Sequence, residues 1–140
     1  MGLPGKLNEP FLDMMSPCAI LVVDDEEELR ELMRHVLERA GHTVTCASNG
    51  CEASEVIGRC QFDVVVTDML MPDRDGLELI SEIKSKHRAT KIVAISGGGQ
   101  VGSDQYLTMA KGFGADVLLR KPFAYQALLS AVDRARAEKT

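Results

Sequence analysis

Five short apolar runs, each followed by residues at helical spacing, narrow the folds open to this chain more than any other feature. The first, Ala19–Val23, is continuous and β-branched and gives way at once to Asp24-Asp25-Glu26-Glu27-Glu28. A strand covered on both faces reads this way, whereas a strand with one wet face alternates. Leu29, Leu32, Met33, Val36, Leu37 and Ala40 then recur at helical spacing. The acids crowd the start of that helix, where the macrodipole favours them, and Gly41 ends it. Thr43–Ala47 predicts a second strand, Asn49-Gly50 a turn, and Ala53, Val56, Ile57 and Cys60 the inner stripe of a second helix.

The cycle repeats three more times. Residues 62–67 predict strand three, 68–76 a loop of turn formers, and 77–87 a helix with Leu79, Ile80 and Ile83 on one face. Residues 91–95 predict strand four. Ser96-Gly97-Gly98-Gly99 and a weaker helix through Tyr106, Leu107 and Ala110 follow, the loosest stretch of the chain on account of its glycines. Residues 117–119 predict a short fifth strand, Lys121-Pro122 interrupts it, and Leu128, Ala131, Val132 and Ala135 stripe a last helix. Strict alternation, five of each, implies an α/β fold: an open five-stranded parallel sheet with helices on both faces.

At 140 residues there is room for one core. Residues 1–17 read as a flexible leader, or as a remnant ahead of a natural start at Met14 or Met15, and residues 18–140 as the domain. The broken apolar patch at Phe11-Leu12-Asp13-Met14-Met15 is too short for a signal peptide, and no run nears the roughly 18 apolar residues of a membrane span. Sixteen Lys and Arg against twenty-one Asp and Glu leave a net charge of -5, the wrong sign for coating a phosphate backbone. Direct nucleic-acid and membrane partners are therefore not expected. Cys18, Cys46, Cys51 and Cys60 form no C-x-x-C pair, so buried free thiols in a reducing cytoplasm are expected. His35, His42 and His87 read as surface or capping residues.

Functional groups of such sheets collect at the carboxyl ends of the strands, near the point where strand order reverses. Here those ends carry Asp24 and Asp25, Asp68, Ser96 and Lys121. Three carboxylates brought together repel one another and take up protons unless a cation sits among them. A hard, oxygen-seeking divalent ion, most naturally Mg²⁺, answers that need together with Lys121. Each group alone has a plainer reading: a helix cap for the Asp pair, loop chemistry for Asp68, a solvated lysine for Lys121, a turn cap for Ser96. Their joint placement at four strand ends is what outweighs those readings.

The segments Leu21-Val22-Val23-Asp24-Asp25 and Thr67-Asp68-Met69-Leu70-Met71-Pro72-Asp73-Arg74-Asp75-Gly76, with Ser96, Gly114-Ala115-Asp116 and Lys121-Pro122-Phe123, make the chain resemble the receiver domain of two-component response regulators. The likeness covers about residues 18–137. It implies the (βα)5 flavodoxin-like, CheY-like arrangement and a cytoplasmic signalling domain, catalysing only its own phosphorylation and dephosphorylation. By the same likeness Asp68 accepts a phosphoryl group from the histidine of a sensor kinase or a histidine phosphotransfer protein. Asp24, Asp25, Asp68 and the backbone carbonyl of Leu70 hold Mg²⁺, Ser96 bonds the phosphoryl group and Lys121 pairs with it. The switched surface toward a downstream protein would be helix four, strand five and helix five, and Lys121-Pro122 would be cis. Leu118 stands where many receivers carry an aromatic residue, which departs from the aromatic switch.

Three rival functions are weaker. Acids directly after strand one would repel the phosphate of a flavin cofactor. A hydrolase with an aspartyl-phosphate intermediate would want a second acid where Leu70 stands. A phosphorylation-independent adaptor on the same fold has no need of the complete acidic set.

Overall fold

The computed structural model describes residues 16–71, 76–97 and 103–138. Strands β1 (Ala19–Val23), β2 (Thr43–Ala47), β3 (Val64–Asp68), β4 (Lys91–Ser96) and β5 (Val117–Arg120) alternate with helices α1 (Glu27–Arg39), α2 (Gly50–Arg59), α3 (Gly76–Lys86), α4 (Ser103–Phe113) and α5 (Tyr125–Ala137). All four strand pairings are parallel, in the order β2-β1-β3-β4-β5. The five-stranded parallel sheet expected from the alternation is the one observed.

Successive side chains of a strand point to opposite faces, so the apolar runs feed two cores. Leu21, Val23, Val65, Ile92 and Ala94 pack with Ala53 and Ile57 of α2, Leu79, Ile80 and Ile83 of α3 and Ala110 of α4. On the other face Ile20, Val22, Val64, Val66, Val93 and Ile95 pack with Met33 and Leu37 of α1 and Leu128, Ala131, Val132 and Ala135 of α5. The central strands β1, β3 and β4 are thereby covered on both sides, while the edge strand β2 alternates between exposed and half-buried positions before Ala47.

Several local expectations are corrected. Strand β3 starts at Val64 and takes in Asp68, because the residues ahead of it serve neighbours: Asp63 N–H donates to Ala19 O, and the Phe62 carbonyl accepts the Thr90 hydroxyl. Strand β4 runs on through Ser96 and β5 through Arg120. Leu32 lies off the buried stripe of α1 at 57% exposure. The four cysteines form no disulfide, as expected, but they are not buried: Cys18 and Cys46 are half-buried, Cys51 and Cys60 exposed. His42 is buried rather than at the surface, and His87 is half-buried. The leader as far as residue 15, the turn at 72–75, Gly98 and Gly99 of the glycine turn, and the side chains of Tyr106 and Leu107 lie outside the described residues.

Candidate functional site

The chain leaves β1 to build β2 on one side and returns to place β3 on the other, so a crevice opens at the carboxyl ends of β1 and β3. Asp24 is the first residue past β1 and is fully buried. Its N–H donates to Ala47 O at 3.2 Å. Its Oδ1 accepts the Glu26 N–H at 2.8 Å, an Asx-type turn that leads the chain into α1. Arg30 of α1 reaches back and donates from Nη1 to the Asp24 carbonyl at 2.9 Å. Asp25 is exposed beside it.

Asp68 closes β3 and is 6% exposed. The chain turns immediately after it: Leu70 N–H donates to Asp68 Oδ1 at 3.2 Å, and Met69 N–H bonds Ile95 O of β4. Ser96 ends β4, one residue past Ile95, the register partner of Asp68. The Lys121 N–H donates to Ser96 O at 2.8 Å, which ties the end of β5 to the same rim, and the Lys121–Pro122 peptide is cis. From there Lys121 Nζ lies 3.4 Å from Asp68 Oδ2 and 3.5 Å from Asp24 Oδ2.

The sheet thus gathers all five side chains expected at the rim. Carboxylate oxygens of Asp24, Asp25 and Asp68 lie within 4.8 Å of one another. Burial is the main influence pushing Asp24 and Asp68 above the usual carboxylate range; mutual repulsion adds to it, while Lys121 and the Glu26 and Leu70 N–H groups oppose it. Burial also works against the Lys121 ammonium, but Asp68 and Asp24 outweigh it and hold Lys121 above its ordinary value. One ammonium is thus shared by two buried acids, and a third acid stands at the entrance. Among the described residues, two buried side-chain oxygens have no hydrogen-bond partner, and both belong here: Asp24 Oδ2 and Ser96 Oγ. Lys121 is close enough to the first to attract it without hydrogen-bond geometry. Buried polar atoms left without a hydrogen bond are costly, and both stand at strand ends on this rim.

Residues 20–133 match the family described as the response regulator receiver domain. The chain belongs to that family. The receiver domain is 34% identical over 113 residues to the chemotaxis protein CheY of Halobacterium salinarum, covering 81% of this chain and 92% of that protein. It is 34% identical over 128 residues to the DNA-binding transcriptional regulator NtrC of Azospirillum brasilense, covering 90% of this chain but 26% of that one. The chain therefore spans nearly all of the first relative and about a quarter of the second. Among solved structures, a receiver domain protein from Clostridium thermocellum superposes with a TM-score of 0.77 at 32% identity, over 85% of this chain and 94% of that one. Receiver domains are phosphoacceptor domains that work with kinases and effector domains, and the family typically binds Mg²⁺ at an acidic pocket. No helix among the described residues is long and apolar enough to cross a membrane.

One residue of the receiver domain's rim escaped the sequence reading. Arg30 places a cation near the start of α1, where the helix dipole disfavours it, and that misplacement was the available signal.

Proposed function

We propose that Asp68 accepts a phosphoryl group from the phosphohistidine of a sensor kinase or histidine phosphotransfer protein, and that the domain signals by the change this makes. Three carboxylates within 4.8 Å of one another, two of them sharing Lys121, with Asp24 Oδ2 and Ser96 Oγ buried at the same rim without a hydrogen bond, carry the reading. A carboxylate oxygen of Asp68 forms a bond to phosphorus as the phosphorus–nitrogen bond to the donor imidazole breaks, and the imidazole leaves with the electron pair. Such a transfer needs mainly positioning and neutralisation of the phosphoryl oxygens. The Lys121 ammonium, already 3.4 Å from Asp68, supplies one positive charge, and the Ser96 hydroxyl gains the partner it lacks. Asp24, Asp25 and Asp68, with the Leu70 carbonyl, would hold Mg²⁺, and the donor set of hard oxygens with one orphaned suits it. When bound, the ion supplies the remaining positive charge for the phosphoryl oxygens.

The proposed donor would dock beside the rim. There α1 and the start of α5 frame an apolar groove of about 430 Å³ lined by Leu29, Leu32, Met33, Phe123 and Tyr125, and it reaches Lys121. An apolar helix face bearing the phosphohistidine would suit this groove, whose Lys121 end lies toward Asp68. Downstream, the added charge draws Ser96 and Lys121 inward and biases the α4–β5–α5 face toward a protein target. The acidic charge balance favours a protein over nucleic acid as that direct partner.

Intact-protein mass after incubation with acetyl phosphate, with and without Mg²⁺, tests the reading. A Mg²⁺-dependent gain of one phosphoryl group, absent in Asp68→Asn, is expected. No gain in a folded wild type would make this an adaptor that binds its partner without phosphorylation.

A further inference from the structure

Asp24 is held at three points. Two are backbone groups, Ala47 O and Glu26 N–H, which no side-chain substitution removes. The third is the Arg30 guanidinium on the Asp24 carbonyl at 2.9 Å. Together they leave Oδ2 as the oxygen of Asp24 without a hydrogen bond. Arg30 gains little from its helix, since a cation near the N-terminal end of α1 opposes the macrodipole.

We propose that Arg30 is a positioning residue of the acidic site: it fixes the turn that holds Asp24 Oδ2 in the cluster beside Lys121, and so raises the affinity of the site for a divalent cation. The inference rests on the reading of this rim as a Mg²⁺ site. It has a sharp consequence, because charge and position act in opposite senses. As a bare positive charge on the Asp24 backbone, Arg30 repels a second cation, and its removal should tighten binding. As a clamp on the Asp24 turn, its removal should loosen binding, since a partner that orients a ligating carboxylate sets the geometry the ion meets.

Mg²⁺ titrations of the full chain, followed by amide chemical shifts and by calorimetry, separate the two for wild type, Asp24→Asn, Arg30→Met and Arg30→Lys. Saturable binding in the wild type that Asp24→Asn abolishes is expected; its absence overturns the site and this inference with it. Given that binding, Arg30→Met should raise Kd by about tenfold, the lower end of what outer partners of a metal ligand contribute. Arg30→Lys, keeping the charge but losing the planar fork, should fall between Arg30→Met and wild type. An unchanged or lower Kd in Arg30→Met overturns the inference while leaving the Mg²⁺ site standing. A lower melting temperature with unchanged Kd, the mark of a structural role alone, also overturns it. Should Arg30→Met not fold, the comparison passes to Arg30→Lys, where a Kd above that of wild type supports the clamp and any other value overturns it.

Discussion

His42 sits at the end of the sheet away from the acidic rim, where its Nδ1 accepts the Cys18 N–H at 3.2 Å and lies 3.5 Å from the Cys18 sulfur. A nitrogen that accepts an N–H must carry a lone pair, so the ring is neutral there. Burial is the main cause holding His42 below its ordinary value of 6.5; Arg136 adds to the depression and Asp133 opposes it. Above that value the folded and unfolded chains both carry a neutral ring and stability is level. As pH falls through it, the unfolded chain takes up a proton that the folded one refuses, and stability drops until the folded value is passed. Urea unfolding at pH 7.5, 6.5 and 5.5 should show this loss, with a limiting slope of about 1.4 kcal/mol per pH unit. The difference between wild type and His42→Gln isolates it, and parallel profiles would refute it. None of this is legible in the local sequence, where a histidine after a helix-ending glycine looks like a cap. Its neighbours are Cys18 just before β1 and the charges of Asp133 and Arg136 on α5, groups distant in the chain, and Leu32 misleads in the opposite sense by lining a groove that the start of α5 helps to frame.

At the level of elements, the turn after Asp68 is shaped by how closely α3 approaches it. A Cβ on Gly76 would stand 2.7 Å from Met69 Cα, 2.9 Å from Met69 O and 3.0 Å from Asp68 O, all backbone atoms that cannot swing aside. Gly76→Ala should therefore push the first turn of α3 off the end of β3. The expected cost is about 1–3 kcal/mol, the range for overpacking a fitted site. Because the displaced atoms belong to Asp68 and Met69, phosphoryl incorporation should fall with it; thermal melting and the acetyl phosphate assay check both, and a variant as stable and active as wild type would show that the contact relaxes freely. The strands were readable because both faces of β1, β3 and β4 are covered, which forces unbroken apolar runs. Their ends were readable as a site because acids and a lysine stand where such runs stop. Strand boundaries were less so: whether Phe62 belongs to β3 depends on its carbonyl receiving the Thr90 hydroxyl from 28 residues away, and no local pattern records that.

Across the whole molecule the sheet separates two polar ends with different tasks. At one end Asp24, Asp68, Ser96 and Lys121 surround a charged cleft; at the other Cys18, His42 and Arg136 fasten the start of β1, with Arg136 Nη2 donating to Ser16 Oγ at 3.2 Å. Strand β1 links them, and Ile20, Leu21, Val22 and Val23 are all fully buried, with two side chains in each core. Five residues of strand set the ends roughly 16 Å apart at about 3.3 Å per residue. Sites more than about 10 Å apart with no shared partner contribute additively unless the elements between them have a second arrangement to adopt. A close-packed central strand has none, so Asp24→Asn and His42→Gln should combine additively in urea unfolding at pH 5.5, with a coupling below about 0.5 kcal/mol. A larger coupling would mean that β1 passes strain from one end to the other, and the proposed switching surface would then have to include the start of the sheet as well as α4, β5 and α5. Additivity places the consequences of phosphorylation on the loops and helices around the rim, with the sheet as their fixed support.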